Sequence, residues 1–427
     1  MFKKIFICAV FLFSCLNAAI NWSDPINLSP NYNSSNIKIA INNLTGEASA
    51  VWQLFDGQTT IIQYSYSSNS LQNWSEPVNL TLATEKAEMP KIVITSAGTV
   101  VVVFRKFDDD NGYYRIVQTN SSDNINWSNQ VYISEAMGHG NNVEIGLIPS
   151  DDAVVVYVVD NQIRLTQSSN NFQDWSAAVV LSEENLIASD PFIQINSAGE
   201  AIVIWKEFNW INNYIVESNS SNNITNWTTP INLSGENLDV LEHKIIPNGS
   251  DVIIVFSKFN GFHLIINEVH SFNNLNNWSS PINLSDPDYD SCCPGIISIS
   301  GEALVVWKIS NAIGDNLQIT QSSNGLQNWT VPKNLDNLEG VFYTPTICLI
   351  NNTEALLAWR KAEENNLIVQ CSYSSDGLQN WSNPINLSDS GTDSFENNLS
   401  SDNNANIIAY WIKYINSKLI FQLRHSM

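Results

Sequence analysis

Charge is the first scarcity. Of 427 residues only 14% are Asp, Glu, Lys or Arg, and the basic ones are the rarer, 19 against 42 acidic. The resulting net charge of -23 excludes nucleic acid and an anionic membrane surface as partners, because both bind through Lys and Arg. Beyond Leu16 no apolar run approaches the roughly 20 residues a membrane helix needs. Cysteine is thin too: apart from Cys8 and Cys15 near the start there are Cys292, Cys293, Cys348 and Cys371, with no metal-ligand spacing. His139, His243, His263, His270 and His425 are scattered, without metal or triad spacing.

What the chain has is a repeat. Its fullest form is SSDGLQNWSNPINLS, from Ser374 to Ser388, and variants centre on Trp22, Trp74, Trp127, Trp175, Trp227, Trp278, Trp329 and Trp381. The steps between neighbours are 52, 53, 48, 52, 51, 51 and 52 residues, a period that marks a repeat architecture. Ahead of each tryptophan stands a polar knot such as Ser322-Ser323-Asn324, whose short side chains bond nearby backbone and hold a tight turn. After it comes a short strand with a proline at Pro25, Pro77, Pro230, Pro281, Pro332 and Pro384, which places that strand at a sheet edge.

A second series consists of apolar strands with a central aromatic: Trp52, Phe104, Tyr157, Trp205, Phe256, Trp307, Trp359 and Trp411. Apolar at successive positions, these strands are expected to be covered on both faces. Each repeat then supplies four short antiparallel strands, A to D, and four-stranded sheets in radial array make an all-β, single β-propeller. The chain opens on a lone D strand (Pro25 to Ser29) and ends on a C strand (Lys418 to Leu423), so the first piece should close the last blade. Eight blades follow, or seven should the weak A strand near Glu396 to Ser400 fail to form. Cys348 and Cys371 fall on the first and third strands of one repeat, about 9 to 10 Å apart and beyond disulfide reach, so both read as buried thiols. The bonding of Cys292 and Cys293 stays open.

Ser374, Asp376, Gly377 and Trp381 resemble the Asp-box, the Ser-x-Asp-x-Gly-x-x-Trp turn of sialidase (neuraminidase) repeats, with glycine one place early. Asn69, Asn170, Asn222, Asn273 and Asn324 take the aspartate position in other copies, and the turn before Trp127 is one residue shorter. The resemblance implies propeller architecture, from about Asn21 onward. For a sialidase it would further imply three arginines on a carboxylate, a tyrosine nucleophile with glutamate and an aspartate acid/base. Only Arg105, Arg115, Arg164, Arg360 and Arg424 are present, and Tyr114-Arg115-Ile116-Val117 lacks the proline of the family's early Phe/Tyr-Arg-Ile-Pro signature.

In such blades the Asn-Trp turns share one face and the long, dissimilar loops the other, where a binding site would be built. Arg105, Lys106, Lys206, Lys258, Lys308, Arg360, Lys361 and Lys413 end B strands there, and Arg115 and Arg164 begin C strands. They read either as a cationic mouth for an acidic ligand or as strand-end side chains whose stems cover apolar surface. Arg105, Arg115, Arg164, Lys206, Lys308 and Arg360, with Tyr114 and Trp210 as stacking aromatics, form the candidate ligand site. No cofactor is expected, although Asp108-Asp109-Asp110-Asn111 and Asp286, Asp288, Asp290 could hold calcium. Residues 1–19 read as a secretory signal peptide ahead of a propeller domain spanning 20–427, or as a lipoprotein leader with Cys15 as the anchor, hence a secreted or surface-held protein. The functional expectation is a binding protein for a glycan or protein partner. Alternatives are a sialidase-like exo-glycosidase and a structural scaffold with protein partners only, and the missing arginine signature tilts the expectation away from an enzyme.

Overall fold

The computed structural model describes residues 20–29, 33–68, 71–135, 138–221, 224–235, 239–311, 314–335, 340–402 and 404–426. The expected leader (1–19, with Cys15) lies outside these residues, as do Asn69, Asn222 and Asp336. Eight sheets of at least four strands are present among the described residues. In the first, Asn33–Ile41, Ala48–Phe55, Thr60–Ser67 and Val78–Asn79 pair in order as A, B, C and D. The eighth runs Asp393–Ser401, Ile407–Ile415, Lys418–His425 and then Ile26–Asn27 from the other end of the chain. The ring therefore closes as the terminal strands require: Ile26 pairs with Leu423 and Asn27 with Gln422. The weak A strand near Glu396 forms, which settles the number at eight.

The repeat's last serine explains why this closure is equivalent to the other blades. Ser134, Ser182, Ser234, Ser285 and Ser388 each accept the backbone N–H of a C-strand residue, at 2.8–3.0 Å. Ser29 does the same for Phe421, 392 residues away, at 2.8 Å. A buried hydroxyl thus satisfies one C-strand donor beyond the two-residue D ladder.

All eight B-strand aromatics are 0% exposed, as two-sided burial requires. The repeat tryptophans are different. They are half-buried and lie between blades: Trp127 packs with Val51 and Tyr64 of the preceding blade, Trp329 with Ile253 and Val255, and Trp22 with Leu356 and Val369. Trp329 and Trp381 are thus seam residues rather than residues of a sheet's own core.

The polar knots are held by carboxylates. Asp376 accepts the backbone N–H of Gln379 and Asn380 and the Ser374 hydroxyl; Asp123 does the equivalent with Ile125, Asn126 and Ser121. In the copies with Asn273 and Asn324 at that place, the carboxylate comes from the start of the B strand instead. Asp251 takes the Ser271 hydroxyl and the Leu275 N–H, and Glu302 takes Ser322 and the Gly325 N–H.

Candidate functional site

The innermost strand of every blade carries a register shift near its start: Ser35/Lys38, Glu88/Lys91, Asn141/Glu144, Ser189/Phe192, Val240/Glu242, Cys292/Gly295, Tyr343/Thr346 and Phe395/Asn398. In seven blades the extra residue has positive φ: Asn36, Met89, Asn142, Asp190, Cys293, Thr344 and Glu396. Such bulges bend a strand and re-aim its side chains. Eight of them in one ring shape the mouth of the propeller axis.

A cavity of about 950 Å³ opens there, lined by inner strands of the first and the fourth to eighth blades. Its walls carry Lys38, Lys206, Lys244 and Arg360 against Asp190, Glu242 and Glu396, together with His243, Cys293, Thr346, Asn397 and Asn398. Four cations against three carboxylates is a local reversal of the chain's charge. A second cavity, about 940 Å³, lies further along the axis toward the Asn-Trp face. Ile246, Ile296 and Ile347 line both, so an apolar waist separates the two.

The partners of the cations sort them. Arg105 bonds Glu88 and Asn141; Lys106 bonds Glu85; Arg115 bonds Asp108 at 3.2 Å with its guanidinium 4.0 Å from the Tyr132 ring. Arg164 meets Glu135 at 3.0 Å, Lys206 meets Asp190 at 2.8 Å, Lys308 meets Asp315 at 2.8 Å and Lys413 meets Asp389 at 2.5 Å. Seven of the ten expected rim cations are thus already matched by an acid of the same face. Arg360 is not: its guanidinium donates to the neutral Thr344 hydroxyl at 2.9 and 3.1 Å and stands 5.7 Å from the Tyr343 ring. Of the remaining candidates, Tyr114 lies under the Arg105 guanidinium at 4.6 Å, and Trp210 is 69% exposed on a B–C turn. Within the candidate ligand set, Lys206 and Arg360 line the axial cavity, and the others do not.

Two cavity cations escaped the sequence reading. Lys38 and Lys244 occupy the same place in their inner strands, opposite Val51 and Val255, and Lys91 and Glu144 hold that place in the second and third blades. Lys91 is bound to Glu144, whereas neither Lys38 nor Lys244 has an ion pair among the described residues. The Lys38 ammonium is pulled down to about 8, by burial first and then by Lys91 and Lys244. His243 is held near 4, chiefly by burial and then by Lys206, so its imidazole is neutral at pH 7. Burial also lowers Arg360, which still keeps its charge. Glu242 accepts the Cys293 backbone N–H at 2.7 Å, and Glu396 accepts that of Asn36 at 3.2 Å.

At the two acidic loops, Asp108 is engaged with Asn111, Arg115 and the Asp110 N–H, while Asp286 caps the Asp288 N–H. Among the described residues no three His, Cys, Asp or Glu side chains converge in a metal-binding arrangement.

No protein-family profile and no curated protein matches the sequence. Solved structures do match in fold. An ulvan lyase representing a new polysaccharide lyase family aligns over 86% of this chain and 98% of its own, at 10% identity and a TM-score of 0.57. The polysaccharide lyase Uly1 aligns over 79% and 89%, at 7% identity and 0.52. NanB sialidase from Streptococcus pneumoniae aligns over 96% and 70%, at 10% identity, but with a TM-score of 0.39. The two lyase alignments establish a shared propeller fold, and the sialidase resemblance stays at the level of repeats. They also correct the tilt away from an enzyme. That tilt rested on a missing sialidase signature, whereas the two lyases that share this fold are carbohydrate-active enzymes of another chemistry.

Proposed function

We propose that the chain is a carbohydrate-active enzyme that cleaves an acidic polysaccharide at the axial cavity. The observation that carries this reading is the set of cavity cations without an acidic partner: Arg360, Lys38 and Lys244. In a chain of net charge -23, a carboxylate-bearing sugar needs local cations to approach. Seven of the rim cations have their own acids, whereas these three have no ion pair among the described residues and can meet a ligand's carboxylate or sulfate. The guanidinium fork of Arg360 suits a uronate carboxylate.

Cleavage beside a uronate by elimination needs that carboxylate neutralised and the proton on the adjacent carbon removed; the glycosidic C–O bond on the next carbon then breaks as a double bond forms, and the departing oxygen takes a proton from solvent. Arg360 serves the first need. Lys38 serves the second, because an ammonium group near 8 is partly neutral at mildly alkaline pH, where a base is effective. The fold agrees with this reading without deciding it: the ulvan lyase has also been solved bound to a repeat of glucuronate and sulfated rhamnose.

The test is incubation of the purified protein with uronate-bearing and neutral polysaccharides, following both the ultraviolet absorbance of an unsaturated uronate and the appearance of reducing ends. Both signals rising on acidic substrates supports elimination. Reducing ends without absorbance means hydrolysis, and binding without either means a lectin-type site; each of these results overturns the proposal.

A further inference from the structure

The wall of the axial cavity contains Cys293, which forms with its neighbour Cys292 a thiol pair with no part in the chemistry just proposed. Cys292 and Cys293 are both free and half-buried, and their sulfurs stand 3.1 Å apart, with Cys293 donating to Cys292. The inner-strand bulge creates this proximity. In a regular strand successive side chains point to opposite faces, so adjacent cysteines diverge. Here Cys293 is the bulged residue, at φ 59°, and its sulfur turns back beside that of Cys292. The Glu242 carboxylate fixes the turn by taking the Cys293 N–H at 2.7 Å, and its other oxygen lies 3.9 Å from the Cys293 sulfur.

We propose that Cys292 and Cys293 are a reversible modification site that closes into a disulfide between adjacent residues. The two sulfurs have unequal roles. The Cys293 S–H bond lowers Cys292 below the usual thiol range, against burial and Glu242, while Cys293 is itself raised by that bond and by burial. Cys292 is therefore the nucleophile. Its thiolate attacks one sulfur of a small disulfide oxidant such as oxidised glutathione, forming a mixed disulfide and expelling one thiolate. Cys293 then gives up its proton, with Glu242 in reach, and attacks the Cys292 sulfur. The protein disulfide forms, the second glutathione leaves as thiol, and two electrons have passed from the protein to the oxidant. Adjacent Cα atoms lie about 3.8 Å apart, less than the roughly 4.4–6.8 Å that an unstrained disulfide spans, so the closed ring is easily reduced again.

Neither step involves Arg360 or Lys38, so the inference stands apart from the proposed reaction. The experiment exposes the full chain to oxidised glutathione, labels remaining thiols with a maleimide, and weighs the tryptic peptide from Phe259 to Lys308, which contains no other cysteine. The expected result is a peptide lighter by two hydrogens, unlabelled and free of glutathione, with relabelling after brief treatment with a mild thiol reductant. In C293S a glutathione adduct should accumulate on Cys292, and in C292S adduct formation should slow at least tenfold. Near-ultraviolet circular dichroism confirms that each variant is folded. A stable glutathione adduct on the unaltered chain, full maleimide labelling after oxidation, or faster adduct formation in C292S than in C293S would each overturn the proposal.

Discussion

Trp127 meets Tyr64 edge-on, with ring centroids 4.7 Å apart, although 63 residues separate them and they belong to different blades. The repeat's most visible residue therefore fastens one sheet to the sheet before it, while the B-strand aromatics fill each sheet's own core. The two classes should differ in energy. Trp359→Ala, at a fully buried position, is expected to cost about 3 to 5 kcal/mol. Trp381→Ala, half-buried at a seam, should cost about 2 kcal/mol. Urea unfolding of both variants checks the order, and a larger loss at Trp381 would refute the division of roles.

Ring closure gives a second expectation. Removing residues 21–29 strips the eighth sheet of its edge strand, takes away Ile26 and Leu28, and uncovers Phe421 and Leu423, which are fully buried. The truncated chain should unfold or associate through the bare edge. Ser29→Ala, which removes the acceptor for the Phe421 N–H, should cost about 1 to 3 kcal/mol. An unchanged melting curve for the truncation is the result that contradicts the closure.

The architecture was legible because its signals are local and repeated. The tryptophan period, the edge prolines and the aromatic B strands each recur in every copy or nearly so, and the termini balance by simple counting. The axial site was harder to read for a physical reason. Which face an inner-strand residue takes depends on one bulged residue, and an insertion of one reverses the alternation. Lys38 and Lys244 thus looked like ordinary strand residues, whereas cations ending B strands stood out although acids from neighbouring loops match most of them. The carboxylates of Asp251 and Glu302 were missed similarly: they serve turns about 20 residues later, so the motif around the tryptophan contains no trace of them.

For the cavity, Arg360→Ala and Lys38→Met should each lower cleavage of an acidic polysaccharide, on the order of 100-fold where a positioned base is lost. The melting transition should persist in both. Lys413→Ala, whose side chain is paired with Asp389 outside the cavity, should change cleavage little. Added salt should raise KM, because exposed charge attraction is screened beyond about 8 to 10 Å. Equal loss of activity in all three variants would show that the cavity cations have no special part.

The pH dependence of stability offers a test independent of any ligand. Glu217 is buried beside the repeat tryptophan of the next blade, whose Trp278 Nε1 donates to it at 3.1 Å. Burial pushes its carboxyl up from 4.5 to about 7, and the bonds from Asn219 and Trp278 only partly oppose this. An acid raised on folding binds its proton more tightly in the native state, so its contribution is whole below pH 4.5 and is lost as pH rises to about 7. His243 acts oppositely in nearly the same window: lowered from 6.5 to about 4, it favours the native state at higher pH and costs stability as pH falls through that range. Between about pH 4 and 7 the contributions of Glu217 and His243 therefore slope in opposite directions. Glu217→Gln keeps an oxygen acceptor for Trp278 and removes the ionisation. Its melting temperature should rise relative to that of the unaltered chain as pH increases from about 4.5 to 7, and should stay higher above that range. A variant profile parallel to that of the unaltered chain would mean that Glu217 titrates normally, and that the seam between the fourth and fifth blades is open to water.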